Sequence, residues 1–238
     1  MHAVILSAGD GGRMGHHTEE VPKTFMEVGD RILYEYQKES IEPHVDAVTV
    51  VLGYRHEAVE SRFSPRRTVV VEGWDEYENS ESLHRALREI DDDVLVLNGD
   101  VVVTRDAISK VCRAHERADD RSVVACLPGT QTEHTAVQLD DDGRVVAYGK
   151  IPGHRHAGLG IIDEDHLDAA VEHLRNNRYE WYPTVYEEIE TRGVRIPADS
   201  HLEINRPADK QAAKERLPLD SPRETEPTPS QTRRDSSL

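Results

Sequence analysis

The chain has 238 residues, with 46 Asp and Glu against 29 Lys and Arg and a formal net charge of −17. That length allows one α/β domain with a substantial core, and no apolar run reaches the roughly 18 residues of a membrane span. So acidic a surface repels nucleic acid and anionic membranes and excludes both as partners.

Ala3–Leu6 is an apolar run of the buried parallel-strand type. It opens into a loop holding Gly9, Gly11, Gly12 and Gly15, with Arg13 inside it and Lys23 at its far end. Glycines give the backbone freedom at positive φ and leave room for a ligand against main-chain N–H groups. An Arg and a Lys held beside them neutralise phosphate oxygens, so the loop reads as a polyphosphate cradle.

Further along, Val45–Leu52, Thr68–Val71, Val94–Leu97 and Ser122–Leu127 read as strands. Between them Leu33–Ile41, His56–Phe63, Glu81–Ile90 and Asp106–Ala118 carry helical spacing, with Asp106 as a candidate N-cap. This alternation predicts right-handed βαβ units, a mostly parallel sheet and helices on both faces. Ligands then bind at the carboxyl ends of the strands, where the glycine loop falls. Ala136–Leu139 and Arg144–Tyr148 form a predicted hairpin around Asp140–Gly143. A strand over His156–Ile162 follows, then helices near Glu164–Asn176, Tyr182–Arg192 and Pro207–Arg216. Residues 217–238 are polar and Pro- and Ser-rich, and are expected to be a disordered tail.

Asp100 ends the strand Val94–Asn98-Gly99, where a hard carboxylate oxygen suits Mg²⁺. Asn79 and Ser82 open a helix; Asn79 offers a donor and an acceptor, and a simple N-cap is the plainer reading of the serines. Lysines number only six, which draws attention to Lys23 and Lys150. His16-His17 and His154-Arg155-His156 lack the spacing of a zinc site and read as loop residues, while Trp181 and Tyr182 read as core.

The run Leu6-x-Ala8-Gly9-x-Gly11-x-Arg13-Met14 with Pro22-Lys23 resembles the signature loop of the sugar-phosphate and alcohol-phosphate nucleotidyltransferases. A Walker A loop is excluded because Lys23 does not follow a glycine. Molybdenum-cofactor nucleotidyltransferases place their Lys closer to the Arg-Met-Gly than Lys23 lies here. Asn79-x-x-Ser82-Leu83 resembles the choline-phosphate and inositol-1-phosphate cytidylyltransferase branch, which favours CTP over UTP or dTTP.

The resemblance covers nearly residues 1–216 and implies a Rossmann-like three-layer α/β/α fold. Its nucleotide part would be residues 1–130, and a small acceptor part of hairpin and helices residues 131–216. It implies that Leu6, Ala8, Gly9, Gly11, Gly12, Arg13, Asn79 and Ser82 bind an NTP, and that Asp100 and Asn205 hold Mg²⁺. Asn205 stands where the family more often has Asp. Arg13, Lys23 and Lys150 would be catalytic, with Lys150 on the acceptor phosphate. Expected partners are an NTP and a phosphorylated sugar or alcohol, with a homodimer as a candidate assembly. The acidic, Lys-poor composition resembles salt-adapted cytoplasmic proteins of halophilic archaea, and Cys112 and Cys126 fit a reduced cytoplasm. The rival reading is a non-catalytic nucleotide-binding homologue with a weakened metal site.

Overall fold

The computed structural model describes residues 1–117, 122–129 and 135–219. The first strand, β1 (His2–Ser7), is buried along its whole length and lies at the centre of a nine-stranded sheet. Two short strands, β2 (Glu27–Val28) and β3 (Arg31–Ile32), form a small hairpin leading into α1 (Leu33–Ile41). The parallel half follows: β4 (Ala47–Leu52), α2 (His56–Arg62), β5 (Thr68–Val70), α3 (Asn79–Leu87) and β6 (Val94–Asn98). β1 pairs in parallel with β4 and β6, and β4 with β5. All four strands are rich in β-branched and aliphatic residues, as strands covered on both faces require.

After β6 come β7 (Val101–Val103), α4 (Arg105–Arg117), β8 (Ser122–Leu127) and the hairpin β9 (Ala136–Leu139) with β10 (Val145–Gly149). The expected Asp140–Gly143 turn is present, with Asp140 Oδ1 accepting from the amides of Asp142 and Arg144 at 3.0 and 2.8 Å. β11 (His154–Ile162) runs antiparallel to β9, β8 and β6. Its register shifts between His156 and Gly160, where Gly158 sits at φ +67° and the strand passes from β9 to β6. The remaining elements are α5 (Leu167–Asn176), α6 (Val185–Glu188), β12 (Thr191–Arg195), β13 (His201–Glu203) and α7 (Pro207–Arg216). The three-layer α/β architecture with a mostly parallel centre is therefore as expected. No helix among the described residues is long and apolar enough to cross a membrane.

The structure corrects several local expectations. The predicted helix over 182–192 is a 3₁₀ turn at Tyr182–Thr184, then α6, then β12 paired in parallel with β8. Apolar residues at 182, 185, 186 and 189 mimic helical spacing, but Thr191, Gly193 and Val194 join the sheet. The N-cap of α4 is Thr104, whose Oγ1 accepts from the Ala107 amide at 3.3 Å, and not Asp106. His154 and His156 lie in β11 and not in a loop. Tyr182 is core as expected, but Trp181 is exposed. Leu217 and Leu219 of the expected tail pack against the cluster of Met14, Val28 and Leu33, so ordered packing reaches residue 219. Residues 220–238 lie outside the described residues. Both cysteines are buried and free; burial pushes their thiols up, to about 11 for Cys112 and about 12 for Cys126.

Candidate active site

The carboxyl ends of β1 and β6 frame a cavity of about 260 Å³. Leu6, Ala8, Gly9, Gly11, Lys23, Asn79, Ser82 and Asp100, all expected at the site, line it. Gly9 has open space where a side chain would stand, which leaves its backbone accessible. Gly11, at φ +65°, lets the Lys23 stem cross the loop: a Cβ there would lie 2.7 Å from Lys23 Cγ. Gly99 is forced by close approach, since its Cβ would fall 2.5 Å from the Leu6 carbonyl oxygen. Its amide donates to that same oxygen at 2.9 Å, and Thr24 Oγ1 donates to the Gly99 carbonyl at 2.9 Å. The Asn98-Gly99-Asp100 turn is thus locked onto the root of the loop.

The late segment reaches this turn through a pairing that the sequence did not reveal. β13 is antiparallel to β7 with Glu203 opposite Val101, and the Ile204 amide donates to the Asp100 carbonyl at 2.9 Å. Asn205 is thereby brought to Asp100. Lys23 Nζ donates to Asp100 Oδ2 at 3.1 Å and to Asn205 Oδ1 at 3.0 Å. Arg13 donates to the same Asn205 oxygen at 2.8 Å. The Asn205 amide nitrogen donates to Glu203 Oε1 at 2.6 Å, and Glu203 pairs on its other side with Arg155. Asp209 accepts from the amides of Asn205 and Arg206 at 2.9 and 2.8 Å, capping α7.

Burial pushes the Asp100 carboxyl up from the ordinary carboxylate range, with Lys23 opposing and Glu203 adding to the rise. Against the desolvation of its own site, Arg155 and the Asn205 amide hold Glu203 below that range. A divalent cation would relieve Asp100 as Lys23 now does. The donor set of one carboxylate and one amide carbonyl oxygen is hard and fits such an ion.

Not every expected residue converges. Lys150 is exposed just beyond β10, outside the residues lining the cavity. Gly12 instead closes a turn, donating its amide to Asp10 Oδ1 at 3.0 Å. Asn79 is in place, with its Oδ1 accepting from the Tyr182 amide at 2.8 Å, which fixes the orientation of its amide group. Sequence reasoning missed Trp74, Tyr77 and Asn98, which also line the cavity. The first two lie between β5 and α3 with no periodic signal to mark them.

Asp93, His115 and Asp163 form a second group of metal-ligating composition. It sits at the amino end of β6, roughly 20 Å from Asp100 at 3.3 Å per strand residue. Its carboxylates serve the fold: Asp93 accepts from the Glu164 amide at 3.0 Å, and Asp163 from the Asp165 amide at 3.0 Å.

Residues 3–188 match the profile of the MobA-like NTP transferase domain. The chain belongs to that family. Its fold is shared with CTP:phosphocholine cytidylyltransferase from Streptococcus pneumoniae, at TM-score 0.71 and 20% identity over 90% of this chain and 98% of the other. The inositol-1-phosphate CTP transferase from T. maritima gives TM-score 0.73 and 19% identity over 90% and 93%. In sequence, the NTP transferase domain is 26% identical to the bifunctional protein GlmU of Methanococcus maripaludis strain C7, over 76% of this chain and 41% of that protein. Against the strain C5 protein, identity is 32% over 47% of this chain and 27% of the relative. The chain thus spans less than half the length of these curated relatives.

Proposed function

We propose that this chain transfers a nucleotidyl group from an NTP, preferentially CTP, to the phosphate of a phosphorylated sugar or alcohol, releasing pyrophosphate. The observation that carries the reading is the convergence of Lys23, Arg13, Asp100 and Asn205 at the mouth of a glycine-walled cavity. An acceptor phosphate oxygen already bears negative charge, so it needs no general base. It attacks the α-phosphorus, and the bond from that phosphorus to the bridging oxygen breaks as pyrophosphate departs.

The work left to the protein is alignment and charge neutralisation. Arg13 and the loop amides near Gly9 and Gly11 hold the leaving pyrophosphate. Lys23 Nζ carries three N–H groups, of which two now bond Asp100 and Asn205, and it offsets charge that builds in the transition state. Asp100 and Asn205 would hold a divalent cation such as Mg²⁺, which would supply further charge neutralisation during the transfer. Lys150, exposed beyond β10 and outside the cavity lining, would have to approach from outside to touch the acceptor phosphate.

CTP is favoured because the bond from the Tyr182 amide to Asn79 Oδ1 orients the Asn79 amide nitrogen as a donor. Cytosine offers adjacent acceptors at O2 and N3, whereas uracil carries a proton on N3. The test is pyrophosphate release with each NTP against sugar 1-phosphates, inositol 1-phosphate and phosphocholine, in Mg²⁺ at high KCl. Release with CTP and one acceptor is expected. NTP binding without release for every pair would instead establish a catalytically retired binding protein.

A further inference from the structure

We propose that Asn98 is a specificity-determining residue that reads a hydroxyl beside the acceptor phosphate, held in orientation by the positioning residues Tyr182, His156 and Tyr148. The inference rests on the transferase reading above and deepens it. Asn98 is the last residue of β6, and its side chain lines the cavity next to Asp100. Its backbone is pinned by Gln37 Nε2, which donates to the carbonyls of Asn98 and Val101 at 3.0 and 2.7 Å.

The side chain is pinned as well. Tyr182 Oη donates to Asn98 Oδ1 at 2.9 Å. The Tyr182 oxygen lies 3.1 Å from His156 Nε2, and His156 Nδ1 lies 2.7 Å from the Tyr148 hydroxyl. The proton count fixes the direction of this chain. Asn98 Oδ1 can only accept, so Tyr182 gives it the phenolic proton. Tyr182 must then accept from His156 Nε2–H, which leaves Nδ1 bare to accept from Tyr148. Desolvation among the tyrosine rings pushes the imidazolium down to about 3, which keeps His156 in the neutral form this chain requires. Bonds aligned head to tail polarise one another, so turning over the Asn98 amide means reversing the whole chain.

What remains free is the Asn98 amide nitrogen. Among the described residues it has no hydrogen-bond partner, and room for it is made at the kink of β11. A Cβ on Gly158 would lie 2.9 Å from that nitrogen. A fixed, neutral N–H donor in the cavity that Asp100 also lines suits a hydroxyl oxygen next to the acceptor phosphate. It offers nothing to the quaternary ammonium of phosphocholine, whose natural contacts are aromatic faces and anions. The acceptor class is therefore a polyhydroxylated sugar or cyclitol phosphate.

The experiment compares the acceptor that supports turnover in the panel with its analogue lacking the hydroxyl adjacent to the phosphate-bearing carbon. The wild type should prefer the hydroxylated acceptor by about tenfold in kcat/KM, the worth of one oriented hydrogen bond. Asn98→Ser should lose that preference. Tyr182→Phe should raise the acceptor KM by about tenfold while the NTP KM and kcat stay put, and Tyr148→Phe should do so more weakly. Turnover confined to phosphocholine overturns the inference, as does undiminished preference in both Asn98→Ser and Tyr182→Phe. Absence of wild-type turnover with every pair overturns the parent reading and this one together, whereas wild-type turnover with unmoved acceptor KM values overturns only this one.

Discussion

Asp100 stands between two regions built on different electrostatic terms. Towards the glycine loop it meets Lys23, with Arg13 one residue further across Asn205, and every strong contact there involves a formal charge. Towards β11 the wall is Asn98, Tyr182, His156 and Tyr148, all neutral and joined by directional hydrogen bonds. A charged cluster tolerates small movements, because Coulomb attraction falls slowly with distance and a Lys stem is flexible. A neutral relay has no such latitude; its value lies in one donor pointing one way. The loop side is suited to a ligand whose charge shifts during reaction, and the β11 side to a ligand whose shape is to be recognised.

The sharpest way to break the comparison is to remove the mobile charge. Lys23→Ala should lower kcat by about a hundredfold or more with little change in NTP KM, if its effect is felt mainly in the transition state. Steady-state kinetics with the active NTP and acceptor decide it, and unchanged turnover would remove Lys23 from the chemistry. A pair of glycine substitutions then separates scaffold from ligand seat. Gly99→Ala forces a Cβ against the Leu6 carbonyl and Thr24. Overpacking of that kind costs about 1–3 kcal/mol, so Tm should drop by roughly 5 °C. Gly9→Ala meets nothing within 4 Å and should leave Tm alone. It should nonetheless weaken NTP binding by about tenfold if phosphates lie against that backbone. Equal Tm values for the two variants would contradict the packing at Gly99.

Smaller in effect is the base preference. Asn79→Asp keeps the bond from the Tyr182 amide but removes the side-chain donor. The ratio of kcat/KM for CTP over UTP should shrink by about tenfold, within the worth of one hydrogen bond. A ratio that holds would move base recognition elsewhere in the cavity, to Ser82 or the Trp74 and Tyr77 walls.

The loop side was legible because its residues are contiguous. Leu6 to Lys23 is one segment, and Asp100 closes a strand whose apolar run is unmistakable. The β11 side was not legible, because its members meet only through tertiary pairing. Tyr148, His156 and Tyr182 come from β10, β11 and the turn before α6, and they reach Asn98 only because β11 lies antiparallel to β6. His156 gave a local signal, the His154-Arg155-His156 run, but nothing in that run says that a tyrosine hydroxyl faces each ring nitrogen. The misread helix at 182–192 has the same origin. Its spacing is locally helical, and only the open edge of β8 turns Thr191–Arg195 into a strand. Asn205 lies between these cases: its motif was visible, while the β7–β13 pairing that brings it to Asp100 was not.

Acid distinguishes the two regions by sign. His156 has its folded pKa pushed down to about 3, below the ordinary 6.5. The unfolded chain therefore binds the extra proton first, so this site's stability is full above about pH 6.5 and is lost as pH falls towards 3. Between pH 6.5 and 5.5 one such histidine removes about 1 kcal/mol. His201, pushed down to about 4 by burial and then by Arg155, acts in the same direction. Asp100 acts the opposite way: its raised folded pKa means that the native site takes up a proton more readily than the unfolded chain does. Acidification thus loads the β11 side while easing the loop side. Urea unfolding of wild type and His156→Gln at the two pH values measures the difference. The substitution destabilises at pH 7, because it breaks the bonds to Tyr148 and Tyr182, but the loss on going from pH 6.5 to 5.5 should be about 1 kcal/mol smaller than in the wild type. Identical losses would mean that His156 takes up its proton in the folded protein near its ordinary pKa. The wall beside Asn98 would then carry a charge at mildly acidic pH, and the contrast between a charged side and a neutral side would hold only above neutrality.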